Sequence, residues 1–116
     1  MSSSAADRLD VIYTSWKDAF DRRADDLKEA VSGEQAKAIV ANVSNLEETY
    51  LAAAKQALDA TGPAVEAAYT QAVATKQAVE NAYAQSVALE QRISAVGKLV
   101  GDVANLAASA HHSAAT

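Results

Sequence analysis

Residues 64–77 read AVEAAYTQAVATKQ and residues 78–91 read AVENAYAQSVALEQ, a tandem copy in which nine of fourteen positions are identical. Fourteen residues are two heptads, and a heptad-spaced pattern keeps the same side chains on one seam of an α-helix. The copy predicts one regular helix across 64–91, with Tyr69 and Tyr83 in equivalent places on the border of a core. The rest of the chain agrees with helix. Alanine, the best helix former, fills 29 of 116 positions, against one proline and four glycines. No stretch alternates Val, Ile or Thr with polar residues at period two, so no strand is expected. Leu, Ile, Val and Phe number only 23, close to the level at which chains fail to fold. Their helical spacing and the modest net charge of −5 argue for a folded domain spanning 1–116.

Two breaks divide the chain. Ser32-Gly33-Glu34-Gln35 combines a permissive glycine with a capping-box spacing between Ser32 and Gln35. Thr61-Gly62-Pro63 places proline where a first helical residue needs no N–H. Ser4, with Asp7 three residues on, is a candidate N-cap at the start. The expected fold is all-α, an antiparallel bundle of three long helices over about 4–31, 34–60 and 63–108, with a small, polar tail at 109–116 expected to fray.

The first helix carries Leu9, Trp16, Arg23 and Ala30 seven apart and Tyr13, Phe20 and Leu27 seven apart, with Ile12 and Ala19 beside them. The second has a seam of Ala36, Ile39/Val40, Val43, Leu46, Tyr50, Ala54 and Leu58. The third is overlong: its roughly 46 residues span about 69 Å, against about 40 Å for each of the others. Its apolar stripe also changes face. Val65, Tyr69, Val73, Val79, Tyr83 and Val87 fall on one side, whereas Leu89, Ile93, Val96, Leu99, Val100, Val103 and Leu106 lie on a face rotated away from it. Either the helix bends or breaks between 86 and 101 and folds back as a fourth helix, or it continues and meets a partner with its distal half. Because 86–92 holds no Pro or Asn-Gly, the continuous helix is the preferred expectation, and the seven residues from Leu89 to Leu106 are the expected partner-binding face. Gly97 and Gly101, four apart, suit a tight helix contact or a weak point.

Chemistry finds little support. There is no cysteine, hence no disulfide, thiolate metal site or cysteine nucleophile, which is compatible with a reducing, cytoplasmic compartment. The only histidines, His111 and His112, lie in the tail, so no Glu-x-x-His motif and no activated serine can be assembled within a helix. Neither a Gly-x-Ser-x-Gly elbow nor a phosphate loop is present. No catalytic residue, metal or cofactor is expected. A sequence pI near 4.8 disfavours nucleic acid, no apolar run approaches a membrane span, and MSSSAADRLD has no signal-peptide character. Thirteen of the 25 charges lie within the first 34 residues, a solvated face or a docking patch at 21–26. The expected function is a non-enzymatic helical protein–protein interaction or structural module, associating with itself or another helical partner. Composition alone looks like phasins (alanine-rich, helical, cysteine-free), which implies an alternative as an amphipathic coat with weak affinity for lipid or polymer granules. A small-ligand sensor is the third reading, requiring a pocket between helices.

Overall fold

Ser4 opens the first helix as expected: its hydroxyl accepts the Asp7 N–H and the Asp7 carboxylate accepts the Ser4 N–H. The computed structural model describes residues 2–111. It contains α1 (Ala5–Glu29), α2 (Gly33–Ala53), α3 (Pro63–Ala84) and α4 (Leu89–Ala110), and no strand among the described residues. The chain is all-α, with four helices where three long ones were expected. At the first turn, Ser32 caps Gln35, but the Gln35 amide oxygen accepts the Val31 N–H, one residue earlier than a capping box would have it. Gly62, the N-cap of α3, has φ 124°, a conformation open to glycine and closed to most other residues, and Pro63 follows at the first helical position.

The continuous third helix is not what forms. The second copy of the repeat stays helical only to Ala84, reverses over 85–88, and resumes at Leu89. The reversal is a Schellman closure: the Ser86 N–H donates to the Tyr83 carbonyl and the Val87 N–H to the Ala82 carbonyl. Ser86 takes the left-handed position usually held by glycine, at φ 52°. The rotation of the apolar stripe was the signal of this turn; the missing Pro or Gly was not a reason against it. Replacing Ser86 with Gly should therefore stabilise the protein by roughly 0.5–1 kcal/mol and Ser86→Val should destabilise it by about as much, read from urea midpoints.

The second helix also ends early, at Ala53 and not near residue 60. Residues 57–61 run without helix, and Leu58 is buried there at 2% exposure. This segment is held by tertiary bonds that compete with helix. Arg8, itself only 2% exposed, donates to the carbonyls of Leu58 (2.7 Å) and Ala60 (2.8 Å), and the Ala60 N–H donates to the Ala110 carbonyl. Helix α4 continues through Ala110, past the expected start of the frayed tail; the rest of that tail, 112–116, lies outside the described residues, as does His112.

These bonds bring the starts of α1 and α3 and the ends of α2 and α4 together at one end, an up-down-up-down order. Helix α4 packs against all three others, α1 touches α3 lightly, and α2 and α3 do not meet. The cross-section is thus a lozenge with α1 and α4 on its short diagonal, in a body of 48 × 25 × 18 Å. Ile12, Leu46, Ala72, Val103 and Leu106 are fully buried. Alanines in α3 let the axes approach closely. The Gly97–Gly101 pair makes no such contact: a methyl on Gly97 would meet only the Asn42 side-chain oxygen at 3.8 Å, and one on Gly101 would meet nothing. No described helix is long and apolar enough to cross a membrane.

Candidate interaction surface

The face expected to bind a partner is covered within the chain. Val96, Leu99, Val103 and Leu106 are buried in the core, and Leu89, Ile93 and Val100 are half-buried. Fold-back packs α4 against the other three helices, with Val96, Leu99, Val103 and Leu106 in the shared core and Val100 against it. Asn42 of α2 donates to the Ile93 carbonyl across the α2–α4 contact, and Thr75 of α3 (4% exposed) donates to Asp102 of α4 at 2.5 Å.

What remains outside is the seam read on the first helix. The inward face of α1 is formed by Arg8, Val11, Ile12, Ser15, Ala19 and Asp26. Leu9, Tyr13, Trp16 and Phe20 lie to one side of it, over the groove between α1 and α2. There Trp16 stacks on Tyr50, with ring centroids 5.4 Å apart and planes within 4°. Tyr13 meets both rings at an angle, 5.9 Å from Trp16 and 5.1 Å from Tyr50. Phe20 extends the row, 5.9 Å from Trp16, with the Arg23 guanidinium 4.9 Å from its own centroid. Such ring pairs contribute about 0.5–1.5 kcal/mol each beyond their area. They hold one another rigid while leaving Tyr13 36% and Phe20 43% exposed.

The six large apolar side chains most exposed among the described residues are Tyr13, Phe20, Val31, Val40, Leu51 and Val73. Five belong to the α1–α2 hairpin, and Val73 alone lies on α3. An open hollow of about 330 Å³ lined by Ala6, Leu9, Asp10, Tyr13 and Tyr50 adjoins one of about 270 Å³ that shares Ala6 and Leu9 and reaches Leu58. By contrast, the interior voids at Ala19–Asp26–Ile39 and at Ser15–Ala19–Val96 amount to about 10 Å³ each, the room of a single water.

Charges edge the aromatic face in balanced signs. Along α1 the outer edge carries Asp10, Lys17, Asp21 and Lys28, residues that share one helix side by spacing. Along α2 and in the turn that follows it come Lys37, Glu47, Glu48 and Lys55. On a chain of net charge −5 this edge carries acids and bases in equal number, with the Arg23 guanidinium an added cation against Phe20. Lys17 pairs with Asp21 at 2.7 Å, and the hydrogen bond to that carboxylate raises its pKa.

The other cluster of titratable groups closes the far end of the bundle. Arg92, 8% exposed, reaches Asp26 at 3.0 Å and Glu29 at 2.6 Å, and its Nε donates to the Val87 carbonyl in the α3–α4 turn. The Tyr83 hydroxyl donates to Asp26, and the Arg22 guanidinium lies 4.3 Å from the Tyr83 ring centroid. Burial raises the Asp26 pKa against the opposing pull of Tyr83 and Arg92. The hydrogen bond from Arg92 lowers that of Glu29. Tyr83 is raised by burial and by its bond to Asp26. Every member is engaged by another and the adjoining void is water-sized, so the arrangement ties α1, α3 and α4 together and has no room for a substrate. At the opposite end Arg8, Glu66 and Ser3 tie the start of α1 to α3: the Ser3 N–H and the Arg8 guanidinium both donate to Glu66, lowering its pKa. Among the described residues no group of three or more His, Asp or Glu is placed to hold a metal ion.

No protein-family model, curated protein sequence or solved structure matches the chain.

Proposed function

We propose that the chain is a non-enzymatic helical module that works by binding protein through the outer face of the α1–α2 hairpin. The observation that carries this is the concentration of exposed aromatic and aliphatic side chains on that one hairpin. Contiguous apolar patches on a folded surface mark interaction sites. Trp, Tyr, Phe and Arg are the residues enriched where binding energy concentrates. The rings are already packed on each other, so little side-chain freedom is lost on docking. A lipid or granule surface would use the same apolar face, but its rim mixes acids with bases and is not Lys/Arg-rich, which weakens the attraction that anionic lipid supplies.

The test is a benzophenone-bearing residue in place of Phe20 in the full chain, irradiated in the native host. A protein adduct should form there, well above that from the same residue placed at Gln77, exposed on α3. Equal, background labelling at both positions would remove the reading.

A further inference from the structure

We infer that the occupant of this face is a second copy of the chain, docked through an antiparallel, two-fold contact between the α1 helices that crosses near residue 19. The inference rests on the docking-face reading above and adds the partner and the register.

Three features support a copy of the chain over a different helix. The first is charge. An acidic chain of net −5 repels itself least where acids and bases alternate, and the outer edge of α1 carries two of each. The second is the order of the charges. Asp10 and Lys28 lie nine residues either side of position 19, and Lys17 and Asp21 lie two residues either side. An isologous contact pairs residues symmetrically about its axis. Antiparallel α1 helices centred there set each Asp10 against a Lys28 and each Lys17 against an Asp21 of the other copy. Each of these four α1 charges meets its opposite. Phe20 lies one residue from that crossing, so the two copies of its ring come together near the axis. The third is size. A hairpin face some 25 residues long is roughly 37 Å by about 20 Å, on the order of 700 Å². A standard stable interface takes about 800 Å² from each partner. The charges at such a rim set register and exclude wrong partners more than they add affinity; Phe20, beside the crossing, supplies the central apolar contact.

The experiment is sedimentation equilibrium of the full chain over micromolar to millimolar concentrations, with circular dichroism to confirm unchanged helicity in each variant. The wild type should pass from one chain mass to two. Phe20→Glu, at a position 43% exposed in the single chain, should stay folded and weaken association at least about thirtyfold. Asp10→Lys and Lys28→Asp each set like charges opposite one another twice and should each weaken it about tenfold. An equimolar mixture of those two variants restores both opposite-charge pairs and should recover affinity to within about threefold of wild type, as a mixed dimer resolved by native mass spectrometry. A wild type that keeps one chain mass throughout overturns the inference. The Phe20 crosslink then decides the reading beneath it, which survives if the adduct is a different protein and falls if there is none. A dimer indifferent to Phe20→Glu overturns the docking face as its site. A dimer that needs Phe20 but does not respond to the charge reversals or their mixture overturns the register.

Discussion

Leu99→Glu should unfold the protein or leave it marginal at 25 °C, without first acting on any self-association. Leu99 is 2% exposed in the fold-back structure. Removing its side chain from the core forfeits about 2–3 kcal/mol of burial. The carboxylate that replaces it must then shed its hydration among Val96, Val103 and Leu106, at a further cost of several kcal/mol. A domain of this length holds only about 5–15 kcal/mol in total. The measurement is the urea midpoint at neutral pH beside that of Lys98→Glu, one residue away and exposed, which should stay within about 0.5 kcal/mol of wild type. A long helix continuing past residue 88 would predict the reverse, a change in mass with stability untouched. A folded, stable Leu99→Glu protein would therefore contradict the reversal at 85–88.

The limits of the sequence reading can be traced to particular residues. The helical class, the turn at Ser32-Gly33 and the start at Gly62-Pro63 were legible because local chemistry decides them: a hydroxyl cap, a positive φ, a ring that cannot donate. The reversal at Ser86 was less so. Its backbone conformation is one that serine tolerates without advertising, and the tandem repeat suggested continuity up to residue 91. The stripe that swings to a new face at Leu89 was the stronger sign. The end of α2 was illegible locally, since Ala54–Ala60 is made of good helix formers apart from Asp59. What stops it is remote: Arg8 and Ala110 take the backbone groups of residues 58 and 60.

The candidate surface was half-visible for a related reason. Leu9, Tyr13, Trp16 and Phe20 include all the aromatic side chains of the first helix and were read as part of its core seam. The core is in fact set by Ile12 and Ala19, and two charged positions share that inward side. Arg8 lies one helical turn before Ile12, and Asp26 lies seven residues after Ala19. Charges in core register are a signal of buried ion pairs, and here they shift the inward face by enough to push the aromatic row to the rim. The same logic finds Arg92, four residues before Val96 in α4.

That placement makes Arg92→Met a sharp test of how the bundle is closed. The substitution should cost about 3 kcal/mol at neutral pH, because it leaves the Asp26 carboxylate, 7% exposed in its side chain, without its cation. Asp26→Asn added to Arg92→Met should recover most of that loss, since a neutral amide can still accept from Tyr83 and no buried charge remains. The pH dependence has a definite sign. In the wild type the Asp26 pKa is raised by burial, so its contribution to stability grows as pH falls and is lost as pH rises through that value. Glu29 is lowered, chiefly by its hydrogen bond from Arg92, so its contribution is present above the ordinary carboxylate range and is lost as pH falls through the depressed value. Arg92→Met removes the cause of the second shift and one of the forces holding down the first. The deficit of the single variant should therefore be greatest at neutral pH and narrow on acidification, as Asp26 takes a proton and its burial ceases to be that of a charge. Urea unfolding of wild type, single and double variants between neutral pH and the carboxylate range measures this directly. A deficit that stays constant with pH would mean that Arg92 acts through its bond to the Val87 carbonyl at the α3–α4 turn, and not by neutralising Asp26.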